Sequence, residues 1–317
     1  MKKLKILVSL MVEENSYQQD QAASATEAGQ QLGLDVQILY ASNDAITQSQ
    51  QLLNVIQASS SDSRPDAIVC QPVGTTHMQV ARAAAARGIG WALINREDDY
   101  IDDLRIENKA PAFSLTVNQE EIGRTQARQM ATLLPDGGLV LYIVGPSSNP
   151  VFARRTAGME SAKPGNIQIL TLRAKLTEQS GFDAVKSWLC LSTARTSMVA
   201  LVAGQNDNMT MGARRAFAEG LKGAELDRWS SLPYIGCDAG NTTGKEWVRK
   251  GLLTASIVLP PTAGVAVEML AQALATKAQP PNGRQLVSVS YPEMVRLVPA
   301  VKPSEMGTGK SDHKIGR

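Results

Sequence analysis

Asparagine, aspartate and arginine recur at one kind of place in this chain: directly after short apolar runs. Asn206-Asp207 follows the run 198–203, and Cys237-Asp238 closes the run 234–237. Asn95-Arg96 follows 91–94, and Glu14-Asn15-Ser16-Tyr17 follows the first apolar run. A further set, from Pro146 to Arg154-Arg155, comes after 139–144. Planar amides, carboxylates and guanidinium forks each present paired donors or acceptors. Such groups suit the vicinal hydroxyls of a sugar or a related polyol. Other chemistries lack their parts: no nucleophile–base pair, metal set or Gly-x-Ser-x-Gly elbow is present. Gly309-Lys310-Ser311 and Gly244-Lys245 echo a phosphate loop but miss its other required positions. An enzyme of doubly wound fold therefore ranks last among the readings.

These residues need elements to hold them, and the hydrophobic pattern supplies strands and helices in alternation. Strands are expected at 6–11, 36–40, 67–70, 91–94 and 113–117, with helices at 16–32, 46–58 and 78–87 between them. Residues 97–111 read as a polar loop. From Asn118 the alternation starts again. Strands at 139–144, 167–172, 198–203, 234–237 and 255–259 are joined by helices at 120–134, 151–161, 181–191 and from Asp207 onward. A helix at 263–275 precedes a final strand pair, 286–291 and 294–298. Repeated strand–helix units of this length imply an α/β fold with parallel sheets covered on both faces. Ligands of such sheets bind at the carboxyl ends of the strands, where the polar residues above fall. In this reading Asp207 caps its helix and leaves Asn206 at the strand end.

The chain has 317 residues, 43% of them hydrophobic, enough for two ordinary domains. A formal net charge of +2, with no basic block among aromatics, gives no nucleic-acid surface. Cys70, Cys190 and Cys237 are widely spaced and odd in number. They read as small buried hydrophobes, and with only His77 and His313 no zinc or other metal site is expected. His77 reads as a cap or surface residue. Residues 1–12 resemble a short leader, but the apolar run is brief and Glu13-Glu14 follows. The run is taken as the first strand, and a cytoplasmic location is expected, with periplasmic as the alternative. No segment is long and apolar enough for a membrane span.

Several motifs, in order, carry a resemblance: Leu93-Ile-Asn-Arg96, Arg155-Thr-Ala-Gly158-Met159, Gln205-Asn-Asp-Asn-Met-Thr-Met-Gly-Ala213, Ile235-Gly-Cys-Asp238 and Ser290-Tyr-Pro-Glu-Met-Val-Arg-Leu297. The chain resembles the type I periplasmic binding protein superfamily, in its ribose- and galactose-binding branch, whose domain also forms the ligand core of LacI-type repressors. The resemblance covers about residues 4–301. It implies two doubly wound lobes, 1–117 plus 259–289 and 118–258 plus 290–301, joined by three hinge crossings that close on a small ligand. The remainder, 302–317, reads as a disordered tail. The resemblance also implies ligand contacts from Asn15, Tyr17, Asn95 and Arg96 in the first lobe and Arg155, Asn206 and Asp238 in the second, with no cofactor. Five residues precede the first strand, so no DNA-binding domain is expected.

Two departures stand out. The family usually has aspartate where Asn95 stands, and a glutamine common at the second hinge is Val258 here. Arg96, Arg154 and Arg155 set against Asp238 would make the site net positive, which points to a sugar phosphate or sugar acid. The other arrangement left open turns Arg154 outward and lets Glu14 balance the charge. The implied role is the substrate-binding component of an ABC-type sugar uptake system with a permease as partner. The alternative is a cytosolic ligand sensor that signals to a kinase or regulator.

Overall fold

Strand β1 (Lys5–Leu10) is buried from Ile6 to Leu10, and every later element packs around strands of this kind. The computed structural model describes residues 3–299 apart from 61, 62, 75, 76, 108 and 148, so the tail expectation lies outside the described residues. After β1 come α1 (Ser16–Leu32), β2 (Asp35–Tyr40), α2 (Ala45–Ile56), β3 (Ala67–Cys70), α3 (Met78–Ala85), β4 (Gly90–Ile94), α4 (Tyr100–Glu107) and β5 (Ala112–Val117). Then follow α5 (Gln119–Leu133), β6 (Gly138–Val144), α6 (Pro150–Ala162), β7 (Ile167–Arg173), α7 (Glu178–Leu189), α8 (Ser192–Thr196), β8 (Val199–Gly204), α9 (Asp207–Gly220) and α10 (Gly223–Ser231). The last elements are β9 (Tyr234–Ile235), α11 (Gly244–Arg249), β10 (Ser256–Val258), α12 (Thr262–Thr276), β11 (Arg284–Leu286) and β12 (Val289–Tyr291).

The chain divides into two compact units: 1–118 with 259–288, and 119–258 with the segment from Val289 onward. The first unit holds a six-stranded sheet in the order β11-β5-β4-β3-β1-β2, all of it parallel. Side chains alternate across a strand. Ile6, Val8 and Leu10 therefore join Ala25, Ala28, Ala263 and Val267 of α1 and α12 on one face. Leu7 joins Leu52, Ile56, Val80 and Leu104 of α2, α3 and α4 on the other.

The second unit has a parallel sheet in the order β7-β6-β8-β9, and β10 pairs antiparallel with β12. Tyr142, Met130 and Met159 fill one face under α5 and α6. Phe182, Trp188, Phe217 and Trp229 fill the other under α7, α9 and α10. Phe217 and Trp229 stack at 4.0 Å between ring centroids, with Trp188 edge-on to both. Glycines let the helices of each pair touch backbone to backbone. A Cβ on Gly158 of α6 would lie 2.0 Å from the Glu120 carbonyl of α5, and one on Gly212 of α9 would lie 2.0 Å from the Glu178 carbonyl of α7.

Two parallel-sheet lobes with helices on both faces are thus present, as the alternating pattern predicts. Some details differ. The expected polar loop 97–111 contains α4, held because Tyr100, Ile101 and Leu104 are buried and Trp91 Nε1 donates to the Tyr100 hydroxyl at 3.2 Å. The expected final strand pair does not form. β11 adds to β5, β12 adds to β10, and Met294–Arg296 is a 3-10 turn. Cys190 is exposed, whereas Cys70 and Cys237 are buried. His77 sits at the N-cap position of α3 but makes no side-chain cap bond and is buried, so it is not a surface residue. No helix among the described residues is long and apolar enough to cross a membrane.

Candidate functional site

In the first unit the candidate residues gather beyond the carboxyl ends of β1 and β4. Asn15 is the N-cap of α1, and its Oδ1 accepts from the Gln18 amide at 3.2 Å. Two residues on, the Tyr17 hydroxyl donates to Asn95 Oδ1 at 3.1 Å. The Thr262 hydroxyl, at the start of α12, donates to the same oxygen at 3.1 Å. Asn95 holds φ at 60°, a left-handed conformation that asparagine tolerates better than most residues. Its acceptor end is engaged twice, and its Nδ2 has no partner among the described residues. Arg96 donates to the Gly74 carbonyl. Burial and the Arg96 charge hold His77 below the usual imidazole range. The structure thus brings Tyr17 and Asn95 into direct contact and ties them to Thr262, which sequence reasoning missed.

Buried glutamines beneath this cluster were also missed. Gln21 Oε1 accepts from the Ala263 amide at 2.7 Å, and Gln18 Nε2 donates to Gln71 Oε1 at 3.1 Å. Gln48 donates to Ser9 Oγ and to the Gln71 carbonyl, both at 2.9 Å. A glutamine on a helix reads in sequence as a solvated position. Its burial here depends on which face of α1 or α2 meets the sheet.

In the second unit Arg155 is 4% exposed. Its Nε donates to Gln119 Oε1 at 2.8 Å, and its Nη1 donates to the Gln205 carbonyl at 2.6 Å. The same nitrogen stands 4.0 Å from Asp238 Oδ1. The Phe152 ring lies 5.5 Å from the guanidinium carbon. Gln205 in turn donates to the Phe152 carbonyl and to Thr156 Oγ1, fixing the start of α6 to the end of β8. Arg154, one residue earlier, is exposed. The arithmetic that made the site positive therefore loses one arginine to solvent and sees another set against a carboxylate.

Asn206, not Asp207, is the N-cap of α9. Its Oδ1 accepts from the Met209 amide at 2.8 Å, and its Nδ2 donates to the Leu176 carbonyl at 2.8 Å. Asp207 is instead the first helical residue and is buried. Burial first, and the Asp238 charge second, push its carboxyl well above the usual range. Asn206→Ala removes the cap and strands the Leu176 carbonyl. It is expected to cost about 1–2 kcal/mol, read as a lower urea midpoint with an unchanged slope. A midpoint equal to that of the parent protein would contradict the capping role.

No group of three or more His, Cys, Asp or Glu among the described residues could hold a metal ion. A cavity lined by Lys5, Asp35, Gln37 and Pro65 lies at the amino-terminal edge of the first sheet, at the opposite strand ends from the candidate residues of that unit.

Residues 6–278 match the family described as periplasmic binding protein domain. The chain belongs to that family. This domain is therefore a type I periplasmic-binding-protein fold, a non-catalytic ligand-binding architecture. Membership corrects the cytoplasmic expectation: it supports a periplasmic location. The earlier inference rested on what the first residues lack. Their apolar run is β1 of the fold, and a strand assigns no compartment.

A Rhizobium meliloti protein named for rhizopine binding is 32% identical over 190 residues, 58% of this chain and 57% of its own length. The binding protein thus matches little more than half of that relative. Among solved structures, a periplasmic solute-binding protein of an ABC transporter from Actinobacillus succinogenes, with bound D-allose, has a TM-score of 0.77 at 19% identity. The match covers 91% of this chain and 97% of that one. The fructose-binding periplasmic domain of a hybrid two-component system has a TM-score of 0.71 at 18% identity and covers 90% of both chains. At these identities the likeness shows the fold.

Proposed function

We propose that this domain binds an uncharged sugar or cyclic polyol and delivers it to an ABC-type permease. The observation that carries the uncharged class is the placement of Arg155 against Asp238 at 4.0 Å, with Arg154 exposed. A buried cation facing a carboxylate leaves no surplus positive charge there. A phosphate beside this pair would meet the Asp238 carboxylate and gain no net charge from Arg155, with Arg96 alone left to offset its desolvation. A neutral polyol can instead donate hydroxyls to Asp238 and accept from Arg155, which keeps both ions solvated by hydrogen bonds. The D-allose-bound and fructose-binding relatives of the fold support a sugar-type ligand. Asn15, Tyr17, Asn95, Arg96 and Asn206 complete the proposed polar set.

Calorimetric titration with D-allose and fructose, each beside its 6-phosphate, tests this. The neutral sugars are expected to bind at least about tenfold more tightly. Tighter binding of a phosphorylated form would reverse the assignment.

A second reading, a ligand sensor that signals to a kinase, is favoured by the likeness to the periplasmic domain of a two-component system. Sugar uptake in a strain lacking the gene separates the two. Lost uptake supports delivery, whereas normal uptake with a lost transcriptional response supports sensing.

A further inference from the structure

The tripeptide Cys237–Asp238–Ala239 is held at both ends by one residue. The Asp207 amide donates to the Cys237 carbonyl at 2.7 Å. The Ala239 amide donates to Asp207 Oδ2 at 2.7 Å. Between these two bonds stands Asp238, with φ at 109°, followed by Ala239 at 44°. Two successive non-glycine residues at positive φ revert to ordinary conformations unless their surroundings hold them. Here the holding group is a carboxyl 3% exposed, whose other oxygen accepts from Ser256 Oγ at 2.6 Å. The pocket around it admits nothing else. A Cβ on Gly236 would come within 2.0 Å of one carboxyl oxygen, and a Cβ on Gly244 within 2.0 Å of the other. No ion pair among the described residues includes Asp207. A buried carboxyl in this setting, boxed by two glycines and spent on a strained turn, has a task beyond starting a helix.

We propose that Asp207 is a positioning residue for ligand capture: its carboxyl group clamps the Asp238–Ala239 turn in its left-handed form and so aims the Asp238 carboxylate. The inference rests on the reading that Asp238 meets the ligand. The Asp238 amide donates to the Ile257 carbonyl at 3.0 Å, so the turn is fixed to β10 on its other side. With the backbone fixed on both sides, Asp238 reaches its place 4.0 Å from Arg155. Ser256 orients Asp207 in the same way that Asp207 orients the turn.

The test uses Asp207→Ala, Asp207→Asn, Asp238→Ala and the double variant Asp207→Ala/Asp238→Ala of the full chain. D-allose and fructose are titrated calorimetrically, and amide hydrogen exchange is followed without ligand. Asp207→Ala is expected to weaken binding at least about tenfold. Asp207→Asn is expected to restore most of it, because its amide oxygen can accept from Ala239 while its NH2 turns to Ser256. In the Asp238→Ala background the loss caused by Asp207→Ala should vanish, since it acts through a side chain already removed. An undiminished loss in that background overturns the proposal.

The exchange arm needs no ligand. Exchange should accelerate at 237–239 in Asp207→Ala, while the slowest amides of β6 and β8 keep their protection. Uniform acceleration across the second unit overturns the proposal, because it marks general destabilisation only. If Asp238→Ala binds as the parent does, or neither sugar binds, the reading of the ligand site fails. Selective exchange at 237–239 would then still support the clamp, and its absence would refute it.

Discussion

Arg155→Ala is expected to lower unfolding stability by about 3 kcal/mol and to abolish sugar binding. Arg155 is 4% exposed and serves four neighbours at once: Gln119, the Gln205 carbonyl, Asp238 and the Phe152 ring. Truncation removes the charge-assisted hydrogen bonds to Gln119 and to the Gln205 carbonyl and takes away the guanidinium charge 4.0 Å from Asp238. Stranding a buried partner costs more than forming the pair gained. In a domain of this size the loss corresponds to a fall in melting temperature of roughly 10 °C. Arg155→Lys should recover little, because one ammonium cannot serve Gln119 and Gln205 in two directions. Adding Asp238→Ala to Arg155→Ala should restore part of the stability by removing a carboxylate that no longer faces this guanidinium, though not the binding. Calorimetric melting of the three variants decides this. A melting temperature for Arg155→Ala within about 2 °C of the parent would show that the guanidinium is not a structural keystone.

Gly158→Ala is expected to cost about 3 kcal/mol, with Gly123→Ala close behind. The added Cβ at 158 would lie 2.0 Å from the Glu120 carbonyl, and the one at 123 would lie 2.0 Å from the Arg155 carbonyl. Both obstacles are helix backbone, which cannot rotate away as a side chain can. The helices α5 and α6 must then separate, opening the layer formed by Met130, Tyr142 and Met159. Because α6 carries Arg155, and Gln119 begins α5, the same displacement stretches the Arg155–Gln119 bond. Ligand affinity should therefore fall together with stability. Gly165→Ala supplies the control: nothing lies within 4 Å of its added Cβ, and its φ is not positive. It should stay within about 0.5 kcal/mol of the parent. Equal midpoints for Gly158→Ala and Gly165→Ala in urea would remove the argument.

Most of the fold was legible because strands such as 67–70 and 139–144 are wholly apolar runs of strand length ended by turn residues. Glycine at 33, left-handed at φ 67°, ends α1 where the pattern placed its C-cap. What escaped was short or charged. Only Tyr100, Ile101 and Leu104 are buried in α4, Ile106 is exposed, and the stretch is crowded with aspartates, so its apolar residues do not separate a helix from a loop. The expected strand 286–291 runs across the end of β11 and into β12, and the expected strand 294–298 is a 3-10 turn at Met294–Arg296. Pairing of β11 with β5 joins residues 169 apart, as in Arg284 with Leu115, and pairing of β12 with β10 joins residues 31 to 35 apart, from Val258 with Val289 to Ser256 with Tyr291; no local pattern encodes that choice.

At the candidate site the residue types were legible and their duties were not. Asn206 and Asp207 are adjacent and both can cap. The structure gives the cap to Asn206 because only its side chain faces the Met209 amide, while Asp207 turns inward to Ala239 and Ser256. Gln119 and Gln205 left no trace in a pattern that scores glutamine as solvent-facing. They were discoverable only once Arg155 was seen to be buried and in need of partners.

Neither unit is made from one continuous piece of chain. The first lacks α12 and β11 until residues 259–288 are added, and Ala263, Val267 and Leu270 of α12 cover one face of its sheet together with α1. During synthesis the ribosome must therefore complete the body of the second unit before the first can close its core. A gene fragment ending at Asn118 would yield a sheet with bare apolar side chains, prone to aggregate. Production of the first unit by itself calls for splicing 259–288 directly onto 1–118 through a designed linker.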